Sequence, residues 1–297
     1  MLYDKHLDTF IKTADRGSFN KAAAELFITP SAVIKQIRSL EKDLGVLLFK
    51  RSHHGLELTE SGRSLYSDAR ILIDAAAKAA ERAQRLAGGN DNIMRIGVSP
   101  TTPADVLADL YPVIYSKWPD LKFQMIPFEN TPKNASEILE NLGRDIDLVG
   151  GVFDEVHLRY RKCRGLELFR EPLQAAVSVT HRLAGRSSIP VSELYGETLL
   201  MISTGKMQSM DRLREDIAKN HPQITIEDFD FYSMDIFNAC ESSQKVLVTT
   251  ATWMKAHPLL RTISVDWPFE IPYGLLYSTS PSPKVKRFLR IVAGSLK

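Results

Sequence analysis

Near its N-terminus the chain carries three short helical patterns in close succession, and this limits the possible folds more than any other feature. Apolar residues recur at helical spacing within each pattern, and the breaks fall at 16–17 and 27–28. Ser18 and Thr29 are placed to cap the second and third helices, and Pro30 suits the first helical position. The spacing therefore predicts an all-α unit in which two short helices are joined by a tight turn.

Positive charge is concentrated on the third helix and on the segment that follows it. The segment from Thr29 to Leu56 holds five basic residues against two acidic ones, whereas the whole chain has a net charge of only +2. Residues 49–58 are typical of two short strands around a glycine-containing turn, a wing. A helix-turn-helix can place its second helix in a major groove, where basic side chains contact phosphates. Residues 1–58 are therefore predicted to form a winged helix-turn-helix DNA-binding domain.

The segment from Leu7 to Gly62 resembles the N-terminal domain of LysR-type transcriptional regulators. The resemblance rests on residues of the helical scaffold and the wing: Phe10, Gly17-Ser18-Phe19, Ala22-Ala23, Leu26, Val33, Ile37, Leu40-Glu41, Leu44-Gly45, Leu48-Phe49, Arg51, Leu58-Thr59 and Gly62. It implies a regulator that binds operator DNA as a homodimer or homotetramer and responds to a small molecule. The chain departs from the family pattern at Pro30 and Ile34, where Gln and Ser are usual.

The expected DNA contacts come from the helix-turn-helix and the wing: Ser18, Thr29, Ser31, Lys35, Gln36, Arg38, Lys50, Arg51 and His53. Since Pro30 and Ile34 cannot make the polar contacts of the usual residues, base reading falls on other residues of the third helix. Lys35 and Arg38 are the stronger candidates, because either can donate to guanine or to phosphate. Ser31 can equally be a capping residue, and Gln36 can equally face solvent.

An alanine-rich segment at 59–87 is predicted to be one long linker helix. Its apolar residues follow a heptad spacing: Leu65, Ala69, Leu72, Ala76, Ala79, Ala83 and Leu86. Such a seam pairs helices, and a helix of this length spans on the order of 40 Å. Packing on its own chain is the alternative; the family resemblance favours a homodimer. Residues 88–92 are rich in glycine and asparagine and are predicted to be a hinge.

From residue 93 to residue 297, strand-like runs alternate with amphipathic helices, which indicates βαβ units and a mainly parallel sheet. The region resembles the effector-binding domain of the same family, an α/β fold with two lobes like those of periplasmic binding proteins. The first lobe is expected over about 93–165 and 267–297, and the second over about 166–266.

Ligands of such sheets bind beyond the carboxyl ends of strands, near helix N-termini. The residues expected to bind an effector there are Ser99, Thr101, Thr102, Asn130, Thr131, Ser203, Thr204 and Phe231. Each hydroxyl can equally be an ordinary helix cap, but convergence on one cleft favours a polar or anionic small molecule. Residues 240–246 depart from a glycine-rich turn common in the family, which leaves the response to an effector open.

The sequence favours binding over catalysis. The GxSxG, HExxH and GxGxxG motifs are absent, and Cys163 and Cys240 are expected to be buried apolar residues, so we expect no enzyme, no metal and no cofactor. No apolar run approaches the roughly 18 residues that span a bilayer, and we expect a cytoplasmic protein with no membrane partner. The rival interpretation is a small-molecule-binding or oligomerisation protein whose C-terminal lobes do not sense an effector. Duplex DNA affinity that falls with salt separates the two.

Overall fold

A computed structural model of the chain describes residues 2–52, 55–88 and 92–296. The chain divides into two compact units, Met1–Asn90 and Asp91–Lys297. The predicted hinge at 88–92 falls largely on residues 89–91, which lie outside the described residues. The hinge and the domain boundaries therefore stay predictions.

The first unit begins with three helices: α1 (Lys5–Arg16), α2 (Phe19–Leu26) and α3 (Pro30–Leu44). The side chains of Asp4, Ser18 and Thr29 accept hydrogen bonds from backbone N–H groups in the first turn of α1, α2 and α3. Gly17 and Gly45 end α1 and α3 in the left-handed conformation, with φ of 58° and 69°. The predicted caps at Ser18 and Thr29 and the predicted stops at the two glycines are confirmed.

A hairpin and a long helix complete the first unit: β1 (Phe49–Ser52), β2 (Gly55–Leu58) and α4 (Glu60–Gly88). The two strands pair in antiparallel fashion. The Thr59 hydroxyl accepts a hydrogen bond from the N–H of Gly62 at 2.9 Å and donates to the carbonyl of Leu47 at 2.7 Å. A Cβ at Gly62 would lie 2.1 Å from the Leu48 carbonyl oxygen, so only glycine lets α4 start this close to the wing.

The core of the first unit corrects the predicted dimer seam at Ala69, whereas Leu65 is only half-buried and its role in pairing stays a prediction. Phe10 is fully buried and meets the edge of Phe49, with ring centroids 5.5 Å apart. Ala69 is 2% exposed in this core, and Leu65 packs against it. The first turns of α4 thus bury Ala69 against its own unit, which leaves this residue inaccessible to a second chain.

The later positions of the seam are placed differently. Leu72 is 49% exposed, Ala76 and Ala79 are half-buried, and Ala83 is exposed. The side chain of Leu86 lies outside those that the structure describes. The seam beyond Ala69 therefore stays a prediction.

The second unit is built around two sheets. Its first part supplies β3 (Ile93–Val98), α5 (Val106–Lys117), β4 (Lys122–Pro127), α6 (Pro132–Glu140), β5 (Leu148–Val152), α7 (Glu155–Tyr160) and β6 (Cys163–Pro172). Its middle part supplies β7 (Gln174–Ser178), β8 (Ser188–Ile189), β9 (Thr198–Ile202), α8 (Gln208–Asn220), β10 (Thr225–Phe229), α9 (Met234–Ser242), β11 (Val246–Thr249) and β12 (Leu260–Val265). The chain ends with β13 (Glu270–Ser278) and α10 (Pro283–Ala293).

Both sheets are mixed, which corrects the expectation of a mainly parallel sheet. The first sheet has the strand order β4-β3-β5-β13-β6, and the second has the order β10-β9-β11-β7-β12-β8. Strands β3, β4 and β5 are parallel, as are β9, β10 and β11, whereas β13 and β7 run antiparallel to the strands on either side of them. Each antiparallel pair of these two sheets includes β7 or β13, the strands that the chain enters after it passes from one sheet to the other.

The crossing itself lies later than the sequence suggested. Strand β6 pairs with β13 along its whole length, from Cys163 to Pro172. The chain therefore leaves the first sheet after Pro172 rather than near 165, and it returns at Glu270.

A buried ionic cluster ties the first sheet to the last helix. The Asp147 carboxylate lies 2.8 Å from the Arg95 guanidinium and 2.7 Å from the Lys284 ammonium. Burial alone would raise the pKa of Asp147, but hydrogen bonds from Arg95 and Lys284 outweigh it and hold this pKa below its usual value. The cluster joins β3, the start of β5 and α10, far along the chain from one another.

Candidate functional site

The outward face of α3 carries the exposed cations Lys35 and Arg38. Among the described residues, neither of them has a carboxylate within ion-pair distance. Basic residues of α1 are placed differently, because Lys12 and Arg16 each lie 2.5 Å from Glu25. Their hydrogen bonds, first from Arg16 and then from Lys12, lower the pKa of Glu25 to about 2. Lys35 and Arg38 are therefore available to a polyanion, whereas the charges of Lys12 and Arg16 are paired with Glu25.

Gln36 does not belong to this outward face. Its amide oxygen accepts a hydrogen bond from the Thr9 hydroxyl at 2.5 Å, and Thr9 is buried on α1. This bond, together with the half-buried position of Gln36, turns its side chain toward α1 rather than toward DNA or solvent. The structure thus corrects the expectation that Gln36 reads bases.

The remaining DNA-binding candidates divide between caps and exposed groups. Ser18 and Thr29 are occupied as helix caps, and the Ser31 hydroxyl lies 3.0 Å from that of Thr29. Lys50 and Arg51 are exposed on β1, with Lys50 3.9 Å from the Glu57 carboxylate across the hairpin. His53 lies outside the described residues, and its predicted role stays a prediction.

A cavity of about 340 Å³ lies between the two sheets of the second unit. Thr101, Thr102, Asn130 and Phe231, all expected at an effector site, line it. The first three follow β3 and β4, and Phe231 follows β10, so strand ends of both sheets meet at this cavity. The expected convergence is therefore present at these four positions.

Four expected residues are not among the lining residues that the structure describes. The Ser99 hydroxyl lies 2.7 Å from that of Thr102 and closes the turn after β3. Thr131 caps α6, and the Ser203 hydroxyl donates to the Phe229 carbonyl at 3.0 Å. Thr204 is exposed. The hydroxyls of Ser99, Thr131 and Ser203 thus form hydrogen bonds within local turns and caps, which is the alternative to effector binding given for such hydroxyls in the sequence analysis.

Hydrogen bonds between the two sheets' segments hold the walls of the cavity together. The Asn130 amide donates to the Tyr232 carbonyl at 3.1 Å, and the Trp253 indole N–H donates to the Thr101 carbonyl at 2.7 Å. The Asn130 amide also donates to the Thr101 hydroxyl. Both walls are therefore fixed to each other at two points.

A third link runs through Asp154. Its carboxylate accepts from the N–H of His157 at 3.0 Å and from the N–H of Ser209 at 3.2 Å. The first bond caps α7, whereas the second comes from the first turn of α8. A single buried carboxylate therefore joins helices that belong to different sheets.

Cationic side chains gather on one part of the cavity wall. Arg161 is buried, with 8% of its surface exposed, and its guanidinium lies 5.3 Å from the ring centroid of Tyr160 and 5.4 Å from that of Phe231. The Lys206 ammonium lies 5.1 Å from the Tyr160 centroid. Asp230 is the one carboxylate among the described lining residues, and it accepts from the Ser203 hydroxyl at 3.0 Å. The cavity wall carries an excess of positive charge.

His157 completes this part of the wall as a neutral group. Burial, and after it the charge of Arg161, lowers its pKa to about 4. Its Nδ1 atom is buried without a hydrogen-bond partner among the described residues. His157 can therefore offer a hydrogen bond to a ligand at neutral pH, while its charge state stays fixed.

Two family models match the chain. The model of bacterial regulatory helix-turn-helix proteins of the lysR family matches residues 5–63, and the model of the LysR substrate binding domain matches residues 87–297. The chain belongs to the LysR family. The resemblance stated from the helix-turn-helix residues is confirmed.

Curated relatives within the family are distant. The Hca operon transcriptional activator HcaR of Escherichia coli K12 is 28% identical over 192 residues, which cover 65% of this chain and 62% of HcaR. The HTH-type transcriptional regulator AlsR of Bacillus subtilis is 25% identical over 199 residues, 67% of this chain and 64% of AlsR. These matches span less than two thirds of the relatives' own length.

Solved structures of LysR regulators share the fold over nearly the whole chain. CbnR, a LysR family transcriptional regulator, has a TM-score of 0.60 at 19% identity, with 99% of each chain covered. Full-length CbnR in complex with its target DNA has a TM-score of 0.58 at 19% identity, covering 98% of this chain and 99% of that one. The predicted fold class, a winged helix-turn-helix followed by a linker helix and a two-lobed α/β unit, is confirmed.

The comparisons do not identify the residues that line the cavity of this chain. Several of these residues were not predicted from the sequence. His157, Tyr160 and Arg161 follow β5, and Lys206 follows β9. The rule that ligands bind beyond strand carboxyl ends would have found the first three, had it been applied to β5 as it was to β3 and β4. Cys163 and Cys240 are buried as expected, and burial raises the pKa of both thiols to about 11.

No helix in the described part of the chain is both long enough and apolar enough to cross a membrane.

Proposed function

We propose that this LysR family member is a transcriptional regulator that binds duplex DNA and whose affinity for its operator is controlled by a small polar or anionic effector. The observation that carries the proposal is the exposed pair Lys35 and Arg38 on α3 of a helix-turn-helix that the family model covers. Ser31 on α3, and Lys50 and Arg51 on the wing, are the proposed further contacts. Phosphate contacts from such side chains fix the protein on the duplex, and contacts to base edges select the sequence.

The proposed control by an effector rests on how the cavity is built. Its lining comes from segments of both sheets, and Asn130, Trp253 and Asp154 bridge those segments. A ligand that contacts both walls stabilises the arrangement in which they are close, and a difference in affinity between two arrangements shifts their populations. Thr101, Thr102, Asn130 and Phe231 are the proposed effector contacts.

The relatives support a binding function for the whole chain. HcaR and AlsR are named as transcriptional regulators, and CbnR has been solved with its target DNA. We propose binding rather than catalysis as the role of the cavity, and a homodimer or tetramer that pairs through α4 from Leu72 onward. Since operator DNA is the proposed partner, the cytoplasm is the proposed location.

Genomic fragments selected on the full-length protein, followed by fluorescence anisotropy with the selected duplexes, test the proposal. Lys and Arg contacts to phosphates release counterions, so we expect affinity to fall by about 10³-fold or more between 50 and 200 mM salt if six or more phosphates are contacted. Enrichment of specific fragments together with this steep dependence supports the regulator. Absence of duplex binding at low salt would overturn it.

A further inference from the structure

Two apolar side chains lie on the surface of α3 beside its exposed cations. Pro30 opens the helix and is exposed, and Ile34 follows about one turn later and is half-buried. Arg38 is exposed a further turn on, and Lys35 adjoins Ile34. Because residues four apart in an α-helix lie on the same side, Pro30, Ile34 and Arg38 form one row along α3. The surface that carries the cations is therefore partly apolar.

The fold of the first unit does not account for Ile34. The buried residues of α3 are Val33, Ile37 and Leu40. Ile34 is not among the described residues that pack on the core around Phe10. Nor does a β-branched residue favour the helix itself, since it has a lower helix propensity than alanine. The apolar surface of Ile34 is therefore available for a contact outside the unit.

The position of Ile34 in α3 indicates what that contact is. The N-terminal residues of the second helix of a helix-turn-helix reach base edges in the major groove. An apolar side chain there has one matching group, the C5-methyl of thymine. Over cytosine or guanine the same side chain would cover a polar base edge without a hydrogen bond, which is costly. Such a contact therefore favours thymine and also disfavours a G·C pair.

We propose that Ile34, with Pro30 one turn before it, contacts thymine methyl groups and so selects T·A pairs in the operator. This inference rests on the proposed binding of duplex DNA, for which it names a base preference and the residue that sets it. Lys35 and Arg38 hold the same surface on the duplex through their charges. The methyl contact adds selectivity without a further charge.

Replacement of single thymines by deoxyuridine tests the proposal, because deoxyuridine lacks only the C5-methyl and keeps its base pairing. The duplexes are operator fragments selected on the full-length protein, and fluorescence anisotropy measures their affinities. We expect the affinity to fall by about 4-fold at one or two thymines of the operator, as for the loss of one buried methyl group. Replacement of thymines outside the protected region should have no effect.

Variants of Ile34 identify the residue that senses the methyl group. Ile34→Ala is expected to weaken operator binding by about 4- to 10-fold and to remove the difference between thymine and deoxyuridine at that position. Ile34→Val should keep part of this difference. Alanine favours the helix more than isoleucine does, so α3 stays folded. The slope of log affinity against log salt should be unchanged, whereas Lys35→Ala lowers it by about 1.

Val46→Ala is the matched control. It shortens another β-branched side chain, which is 42% exposed and lies just beyond Gly45, at the opposite end of α3 from Pro30. Both the operator affinity and the response to deoxyuridine should stay as in the parent protein.

Three results would overturn the inference. In the first, no thymine methyl of the selected operator affects the affinity. In the second, Ile34→Ala keeps the full difference between thymine and deoxyuridine. In the third, Ile34→Ala lowers the salt slope as much as Lys35→Ala does, which would indicate a displaced helix rather than a lost methyl contact. Steep salt dependence of the parent protein leaves the regulator proposal standing in all three cases, whereas absence of duplex binding rejects both proposals together.

Discussion

Positive charge occurs in two opposite settings in this protein. Lys35 and Arg38 stand exposed on α3, whereas Arg161 is buried in the wall of the cavity. Exposed cations interact weakly with any single group and are screened by salt, but they suit a polyanion that neutralises several of them together. Inside the cavity wall, away from bulk water, the Arg161 guanidinium interacts more strongly with its neighbours, among them the rings of Tyr160 and Phe231. The first setting suits a nucleic acid, whereas the second fixes a single charge within a packed wall.

The largest expected effect tests whether the two regions fold independently. Phe10 is fully buried in the first unit, and its loss leaves a hole next to Phe49. Phe10→Ala should destabilise this unit by about 3–5 kcal/mol and abolish duplex binding. Differential scanning calorimetry is expected to show the transition of the first unit at a much lower temperature, with the transition of the second unit unchanged.

Phe27→Ala is the matched control, because the same side chain is removed from a position that is 94% exposed in the same unit. Its unfolding temperature should stay within a few degrees of the parent. If Phe10→Ala also shifts the second transition, the two regions are one cooperative unit, and the comparison between them fails.

The difference between the regions also explains what the sequence could predict. The helix-turn-helix is a contiguous pattern, so Ser18, Thr29 and the two stop glycines could be identified from neighbouring residues alone. The periodicity of a sequence shows which residues share a face of a helix, but it does not show which element packs against that face. Gln36 was therefore predicted to contact DNA, although its side chain contacts α1. Its bond to Thr9 depends on how α1 crosses α3.

The cavity depends on residues far apart in the chain, and its prediction was less complete. The rule that ligands bind beyond strand ends correctly predicted four residues of the cavity lining: Thr101, Thr102, Asn130 and Phe231. Arg161 was missed because the rule on strand ends was not applied to β5, and the six-residue helix between β5 and Arg161 is too short to show a periodic pattern of its own.

The next effect concerns pH and the neutral histidine of the cavity. Burial and Arg161 lower the pKa of His157 to about 4, below its usual value of about 6.5. The unfolded chain therefore binds the proton more readily between these values, and stability falls as the pH drops from about 6.5 to about 4, by about 2–3 kcal/mol. Urea unfolding of the second unit across this range measures the loss.

His157→Gln should flatten this pH dependence, whereas His257→Gln, near the surface of the same unit, should leave it as in the parent. A parent and a His157→Gln protein with the same slope would show that other groups cause the acid sensitivity.

A smaller effect is expected at the carboxylate that joins the two sheets' helices. Asp154→Ala removes the cap of α7 and the bond to the N–H of Ser209. We expect a loss of about 1–3 kcal/mol in unfolding free energy, together with weaker ligand binding.

Ser282→Ala is the control, since Ser282 caps α10 and no other helix. It should cost about 1 kcal/mol and leave the ligand affinity unchanged. Equal effects of the two variants on the ligand would mean that Asp154 acts only as a cap.

The smallest effect for a single substitution is expected on the DNA side. Lys35→Ala and Arg38→Ala should each weaken operator binding several-fold and lower the slope of log affinity against log salt by about 1. Lys42→Ala is the matched control, because it lies exposed in the last turn of the same helix. Anisotropy titrations at several salt concentrations measure both quantities.

The same titrations distinguish a contact to a base edge from a contact to a phosphate. If Lys35 or Arg38 contacts a base edge, its loss relaxes the sequence preference with little change in the slope of log affinity against log salt. If it contacts a phosphate, its loss changes this slope and weakens binding to all duplexes alike.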